Sequence, residues 1–177
     1  KWIINDVHQL YYTIDAAKES QYIKEIIVTT DNNQVVKIAE KLGAKCPFMR
    51  PKSLALDHIN LELVQQYSLE KIEEEGIYPD LIVHLEETYP IRKPDMIDKM
   101  IDELLELGYD TVIAARREVG FLWQEDMQGN YIRLDSGDVP RAMKEKCFTG
   151  ITGLCCVTHP EFIRQGQLLG NNVGLHI

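Results

Sequence analysis

Stretches of apolar residues at helical spacing alternate with short apolar runs along most of the chain. The first stretch predicts a helix from about Val7 to Ser20, because its apolar residues recur every three or four positions. The same spacing predicts helices over about residues 35–42, 59–75 and 94–107. Each of these three is followed by a glycine, Gly43, Gly76 or Gly108, and glycine readily adopts the left-handed turn that closes a helix.

The short apolar runs between these helices are typical of buried strands. The predicted strands cover residues 26–28, 44–49, 81–85, 111–115, 154–157 and 173–177, and a short helix over 159–165 precedes the last of them. Strands that alternate with helices imply right-handed crossovers. The predicted fold is therefore α/β, a doubly wound and mainly parallel sheet with helices on both faces.

Residues 118–146 interrupt this alternation with glycines, a proline and two short segments. Segments 121–124 and 131–134 flank a turn at Gln128, Gly129 and Asn130, which predicts a β-hairpin. Trp123 and Tyr131, with Phe121 beside them, are too apolar to be left in water. We expect them to pack against a second subunit, the alternative being a hairpin that folds back on its own domain. Because no linker is visible, residues 1–177 are predicted to form one domain with the hairpin as an excursion.

Composition limits the classes of ligand. The chain has 177 residues, 45% of them hydrophobic, and no apolar run approaches the roughly 20 residues that cross a bilayer. With 19 basic and 28 acidic residues its net charge is -9, which disfavours general attraction to nucleic acid. We expect neither a membrane nor a nucleic acid as partner. An anionic ligand must then bind at a local basic site.

Cys46, Cys147, Cys155 and Cys156 lack the spacing of a disulfide framework or a zinc site. Adjacent strand residues point to opposite faces, so a bridge between the last two is sterically poor. We interpret all four as reduced thiols of a cytoplasmic protein.

Arginines follow several of the predicted strands. Arg50 follows the strand at 44–49, Arg92 follows the strand at 81–85, and Arg116 and Arg117 follow the strand at 111–115. Ligands of doubly wound sheets bind at the carboxyl ends of the strands. These arginines therefore predict a pocket for a phosphate or carboxylate ligand, since guanidinium groups contact both bidentately. The alternative is that they pair with surface carboxylates.

Two other polar residues keep two interpretations each. Asp31, at the end of a predicted strand, either orients a ribose or a metal ion or caps the following helix. His84 lies inside an apolar strand, where a hydrogen-bonded core residue is expected more often than a catalytic base.

Three consecutive motifs resemble those of the acylneuraminate (CMP-sialic acid synthetase) cytidylyltransferases. They are Thr-Thr-Asp at 29–31, Arg-Pro-x-x-Leu-Ala-x-Asp at 50–57 and Thr-Tyr-Pro-Ile-Arg at 88–92. The second motif is the most specific of the three. Pro140-Arg141 and the turn at Thr152-Gly153 are also similar to segments of this family. The order and spacing match over roughly the whole chain.

The resemblance implies a sugar nucleotidyltransferase that converts CTP and an acidic nine-carbon sugar, with Mg²⁺, into a CMP-sugar and pyrophosphate. It also implies a homodimer formed through paired hairpins. The implied nucleotide-binding residues are Asp31, Arg50, Asp57 and Thr88. The implied catalytic residues are Arg92 and Arg141, and the implied sugar-binding residues are Glu86, Arg116, Arg141 and Thr152. Positioned cations suit this chemistry, because phosphoryl transfer depends mainly on electrostatic stabilisation.

The chain departs from the family pattern at several positions. The family's phosphate loop would precede Lys1, and its metal-binding aspartates would follow residues 173–177. Glu86 stands where glutamine is usual, and Thr152 stands where asparagine is usual. These departures keep a catalytically silent nucleotide- or sugar-binding homologue as the alternative. A metal-dependent glycosyltransferase is disfavoured, because no Asp-x-Asp follows a predicted strand.

Overall fold

The computed structural model describes residues 3–4, 7–135, 139 and 146–177. The helices are α1 (Gln9–Glu19), α2 (Asn33–Lys41), α3 (Leu61–Glu74), α4 (Met96–Leu107) and α5 (Pro160–Arg164). The strands are β1 (Ile3–Ile4), β2 (Val7–His8), β3 (Ile82–His84), β4 (Thr111–Glu118), β5 (Trp123–Glu125), β6 (Tyr131–Arg133), β7 (Cys147–Gly150), β8 (Cys156–Thr158) and β9 (Val173–His176).

The ends of the helices follow from local sequence. Gly43, Gly76 and Gly108 have φ angles of 79°, 81° and 68°, so all three predicted helix-closing glycines are confirmed. At the start of α2, the side chain of Asn32 accepts a hydrogen bond of 2.8 Å from the backbone N–H of Gln34. The interpretation of Asp31 as the helix cap is therefore wrong, because its neighbour in the chain holds the capping position.

The main sheet is built around β4, which has a strand on either side. Its first residues pair in parallel with β9 and antiparallel with β8, and β8 also pairs antiparallel with β3. The second half of β4 pairs antiparallel with β7. Since β3 and β4 are both antiparallel to β8, they run in the same direction, and their carboxyl ends meet at one edge of the sheet.

The expectation of a mainly parallel sheet is wrong for the described residues, since β4 and β9 form the one parallel pair of the main sheet. The predicted strands at 26–28 and 44–49 reduce to one parallel bridge between Ile27 and Lys45. The α/β class itself is observed.

A bulge separates β7 from β8 along the same edge of β4. The backbone of Ala114 donates to Cys155 O at 2.9 Å and accepts from the N–H of Ile151 at 2.7 Å. One residue of β4 therefore faces the five residues 151–155, a larger insertion than an ordinary β-bulge. The carbonyls of Gly153 and Leu154, inside this bulge, accept hydrogen bonds from groups outside the sheet.

The core lies between α4 and the sheet. Met100 and Leu104 of α4 are buried against Val112, Ala114 and Val157 of the two central strands. The intervening side chains of β4, such as Ile113, are buried as well, so both faces of this strand are covered. A second cluster joins α1 and α2 through Leu10, Ile14 and Ala39.

The predicted hairpin is confirmed as a pair of antiparallel strands, β5 and β6, with Gly129 at a positive φ angle in the turn. Trp123 and Tyr131 are 57% and 69% exposed. The alternative in which the hairpin aromatics are buried against their own domain is therefore not observed.

Candidate functional site

The turn that follows β3 places Glu86 beside the bulge. The backbone N–H of Glu86 donates to Gly153 O at 2.8 Å, and its carbonyl accepts from Tyr89 N at 3.2 Å, which closes a tight turn. The carboxylate lies against the Cα of Gly153, where an added Cβ would come within 2.5 Å of Glu86 Cδ. A side chain at position 153 would therefore displace the Glu86 carboxylate from its present place.

Polar side chains on the same strand and turn contact the Glu86 carboxylate. Thr88 Oγ1 donates to Glu86 Oε2 at 3.1 Å, and His84 Nε2 lies 3.4 Å from Glu86 Oε1. Burial lowers the pKa of His84 from its ordinary value, and the neighbouring Glu86 opposes this shift. The three residues form one polar chain at the carboxyl end of β3.

The guanidinium of Arg92 donates hydrogen bonds to four acceptors within the protein. Its Nε donates to Leu154 O at 2.8 Å, and one terminal nitrogen donates to Glu86 O at 2.8 Å and lies 3.4 Å from Gly153 O. The other terminal nitrogen donates to Thr13 Oγ1 on α1 at 3.1 Å. Burial lowers the pKa of Arg92. These contacts join three segments of the chain.

Arg116 lies further along β4 at the same edge. Its Nε donates to Glu118 Oε1 at 2.9 Å, and Thr149 Oγ1 on β7 donates to the same oxygen at 2.7 Å. Hydrogen bonds from Thr149 and then from Arg116 lower the pKa of Glu118. In the sequence analysis, the alternative to a ligand pocket was that the arginines pair with surface carboxylates. Arg116 and Glu118 form such a pair.

Segments 29–31 and 50–57 meet at another place. The backbone N–H of Arg50 donates to Thr30 O at 2.9 Å, which brings Arg50 close to the exposed Asp31. The Nε of Arg50 is buried and has no hydrogen-bond partner in the described part of the protein. A buried nitrogen without a partner, such as this Nε of Arg50, is unusual inside a folded protein. Asp57 is exposed, three residues after the short 3₁₀ helix Lys52–Leu54.

The structure therefore brings the predicted residues together as two groups. Glu86, Thr88 and Arg92 form one group with the bulge that carries the half-buried Thr152, and Arg116 follows on β4. Asp31 and Arg50 form the other. Arg50 thus belongs to a different group of contacts from Arg92 and Arg116. Arg141 lies outside the described residues.

Sequence reasoning did not find two residues of this site. Thr13 is buried in α1 one turn after Leu10, and a hydroxyl in the apolar stripe of a helix was the available signal. Gly153 was seen as a turn residue, but its contact with Glu86 depends on the tertiary structure.

In the part of the chain that the structure describes, no three His, Cys, Asp or Glu side chains are grouped to hold a metal ion. Within the same residues, no helix combines the length and the hydropathy needed to span a membrane.

Comparison with known proteins identifies relatives along most of the chain. The chain is 28% identical to the post-translational flagellin modification protein B of Campylobacter coli, over 98% of this chain and 76% of that protein. It is 29% identical to the CMP-N,N'-diacetyllegionaminic acid synthase of Legionella pneumophila, over 69% of this chain and 53% of that protein. A pseudaminic acid cytidylyltransferase of Campylobacter jejuni is 26% identical over 59% of this chain and 45% of that enzyme. The chain thus spans about half the length of the Legionella pneumophila synthase and of the Campylobacter jejuni cytidylyltransferase.

Solved structures share the fold. A CMP:2-keto-3-deoxy-manno-octonic acid synthetase complexed with CTP superposes with a TM-score of 0.65 at 12% identity, over 92% of this chain and 68% of that one. A 4-diphosphocytidyl-2C-methyl-D-erythritol synthase from Anaerococcus prevotii superposes with a TM-score of 0.67 at 14% identity, over 98% of this chain and 78% of that one.

A family model described as cytidylyltransferase matches residues 4–133, which is more than half of the chain and includes the three motifs at 29–31, 50–57 and 88–92. The chain belongs to the cytidylyltransferase family.

Proposed function

We propose that the protein transfers the CMP group of CTP to an acidic nine-carbon sugar and releases pyrophosphate. The observation that carries this proposal is the match of residues 4–133 to the cytidylyltransferase family model. The names of the relatives narrow the sugar, because they include synthases for legionaminic, pseudaminic and acylneuraminic acid derivatives. An acid sugar of this class is therefore the proposed substrate.

The geometry supports different roles for the two groups of residues, one in binding the nucleotide and the other in binding the sugar. Arg50, whose backbone N–H bonds Thr30 O and whose buried Nε has no partner among the described residues, is the proposed contact for the nucleotide, together with Asp31 and the exposed loop at Asp57. The turn at Glu86 and the bulge at Thr152 form the proposed sugar side. Thr88, which the resemblance places on the nucleotide side, is proposed to lie between the two sides, because its hydroxyl donates to Glu86. Arg116 and Arg141 are the proposed cations for the acid group of the sugar.

Little covalent chemistry falls to the protein in such a reaction. The attacking sugar oxygen displaces pyrophosphate at the α-phosphorus of CTP, so the protein has to orient the two substrates and offset negative charge. Glu86 is a carboxylate and accepts hydrogen bonds only, so it suits a hydroxyl or N–H group of the sugar and disfavours the sugar carboxylate. The acid group of the sugar is therefore assigned to the proposed cations Arg116 and Arg141 and not to Glu86.

We propose Mg²⁺ as the cofactor on the chemistry of the family alone. A divalent cation would neutralise charge on the phosphates of CTP. Because the described residues contain no ligand cluster, the requirement has to be measured.

The experiment is pyrophosphate release by the full-length protein with CTP and a panel of sugar acids. The panel contains N,N'-diacetyllegionaminic acid, pseudaminic acid and an N-acylneuraminate, with and without Mg²⁺, and UTP and ATP replace CTP in parallel reactions. We expect release with CTP, one preferred sugar acid and Mg²⁺. Arg50→Gln should raise the KM for CTP by about tenfold, the usual cost of one charged contact. Arg164→Gln is the matched control, since Arg164 pairs with Glu73 and takes no part in the proposed site.

Two outcomes would contradict the proposal. Pyrophosphate release with UTP or ATP in preference to CTP would refute CTP as the nucleotide substrate. If no combination releases pyrophosphate while CTP still raises the melting temperature, the protein is the silent binding homologue, because a ligand stabilises the folded state by binding alone.

A further inference from the structure

The bulge at residues 151–155 leaves backbone carbonyls without partners in the sheet. The residues on either side of it pair with β4 in regular register, Gly150 with Ala115 and Cys156 with Ile113. Inside it, Gly153 and Leu154 turn their carbonyls away from β4, and Gly153 is buried. A buried carbonyl without a donor costs free energy comparable to a lost hydrogen bond. Something outside the sheet must therefore hold the bulge in place.

Arg92 supplies the donors. Its Nε donates to the carbonyl of Leu154. One terminal nitrogen of the same guanidinium contacts the carbonyls of Glu86 and Gly153. The N–H of Glu86 donates to Gly153 O as well. The turn after β3 and the bulge are thus linked twice, once directly and once through Arg92.

The remaining contact connects this unit to the first long helix. Arg92 donates to Thr13 Oγ1, which is buried in α1 beside Leu10 and Ile14. A planar guanidinium can reach these acceptors together because its N–H groups point outward in a fixed fork. A lysine ammonium at the same position could not bond all of them.

We infer that Arg92 is a positioning residue that fixes the Glu86 turn on the bulge, rather than a cation that contacts substrate. The inference rests on the proposed function for the identity of the reaction. Four donor contacts to the protein itself direct the guanidinium inward. Through the Glu86 backbone, the position of Arg92 sets where the Glu86 carboxylate stands relative to Gly153. Loss of Arg92 should therefore act on the reaction through Glu86.

The test combines Arg92→Lys, Arg92→Gln and Glu86→Ala with the double variant Arg92→Lys/Glu86→Ala. Arg164→Lys is the matched control, because it makes the same exchange at an exposed arginine of α5. Thr13→Val is a milder second variant that removes the α1 contact without removing the fork. The readouts are kcat/KM for the preferred sugar acid, the KM for CTP and the active-site concentration from a burst or titration.

A positioning role predicts that Arg92→Lys lowers kcat/KM for the sugar by about tenfold per active site, nearly as much as Arg92→Gln. It predicts a change of less than about twofold in the KM for CTP. In the Glu86→Ala background, Arg92→Lys should cost less than about twofold more, since the side chain through which Arg92 acts is then absent. Thr13→Val should give a smaller loss of the same kind, and Arg164→Lys should give none.

Three results would overturn the inference. Full activity of Arg92→Lys beside an inactive Arg92→Gln would show that the charge alone matters. Additive losses in the double variant would show that Arg92 does not act through Glu86. A lower melting temperature with unchanged kcat/KM per active site would show a role in stability alone.

Hydrogen exchange separates failure of this inference from failure of the proposed function. If the wild-type protein has no activity, the proposed function fails, and exchange alone decides whether Arg92 holds the turn on the bulge. Arg92→Lys should then speed exchange in peptides that cover residues 85–92 and 150–155 and leave α3 unchanged. Unchanged protection in both peptides would refute the inference whether or not the protein is active.

Discussion

Two adjacent cysteines in the sheet differ from the other two in their access to water. Cys155 and Cys156 are fully buried, and burial raises the pKa of each to about 12. Cys46 and Cys147 are half-buried, and burial raises the pKa of Cys46 as well. Because the thiolate is the nucleophile, the buried pair should react slowly with alkylating reagents.

We therefore predict that iodoacetamide at about pH 8, near the ordinary range for a cysteine thiol, labels Cys46 and Cys147 in the native protein and spares Cys155 and Cys156. Peptide mass spectrometry measures the labelled fraction at each cysteine. The control is the same reaction in denaturant, where all four should react. Native labelling of Cys155 or Cys156 at the denatured rate would show that the centre of the sheet opens readily.

His84 should make stability depend on pH. Burial lowers its pKa below the ordinary value of 6.5, with Glu86 opposing and Arg92 assisting the shift. The unfolded chain thus binds this proton more readily than the folded protein, so the stability linked to His84 is present above about pH 6.5 and decreases as the pH falls. Chemical denaturation from pH 8 to 5 should show a steeper loss for the wild type than for His84→Gln. His58→Gln, at an exposed position, is the control. Equal slopes for the wild type and His84→Gln would contradict the prediction.

The residue types of the site were predictable from sequence, but their partners were not. The position of Arg92 after a strand correctly indicated the carboxyl edge of the sheet. However, its acceptors are carbonyls at Glu86, Gly153 and Leu154, and two of these lie about sixty residues further along the chain. Every residue has a backbone carbonyl, so the sequence does not show which carbonyls accept a hydrogen bond from an arginine. A positioning arginine and a substrate-binding arginine therefore cannot be distinguished from the sequence.

At the scale of elements, α4 offers a matched test of the core. Leu104 is 1% exposed and packs against the sheet, whereas its neighbour Leu105 is 57% exposed on the other side of the same helix. Leu104→Ala should lower the free energy of unfolding by about 3 kcal/mol, since it removes buried methyl groups and leaves a cavity. Leu105→Ala should change it by less than about 0.5 kcal/mol, as is usual for surface substitutions. Urea denaturation measures both, and similar losses would mean that α4 is not seated on β4 as described.

The helices and most strands were predictable because their signals are local. The spacing of apolar residues and the closing glycines Gly43, Gly76 and Gly108 located α2, α3 and α4 closely. Strand direction was not predictable in this way. The segment around Cys156 reads as a strand in either direction, and only its pairing with both β3 and β4 makes it antiparallel. That pairing continues the antiparallel ladder of β7 along the same edge of β4, beyond the bulge, and it joins segments about forty residues apart in the chain.

At the scale of the whole molecule, the hairpin carries an apolar surface that the domain does not cover. Trp123 and Tyr131 are exposed, and Met127 in the turn is fully exposed. Phe121 stacks with Arg133, whose guanidinium carbon lies 4.4 Å from the ring centre. Exposed apolar patches of this kind often mark protein interfaces. We propose that two copies of the chain bury their hairpins against each other, as the resemblance to the acylneuraminate cytidylyltransferases implies.

This proposal predicts a dimer whose stability depends on the hairpin aromatics. Aromatic side chains commonly dominate the binding energy of interfaces, and a charge placed at the centre of one is strongly unfavourable. Tyr131→Glu should therefore convert the dimer into a monomer at micromolar concentration, as measured by sedimentation velocity. Tyr78→Glu is the matched control, because Tyr78 is 73% exposed but lies between α3 and β3. The proposal fails if the wild-type protein sediments as a monomer, or if both variants dissociate equally. A dimer that Tyr131→Glu leaves intact would require an interface elsewhere on the surface.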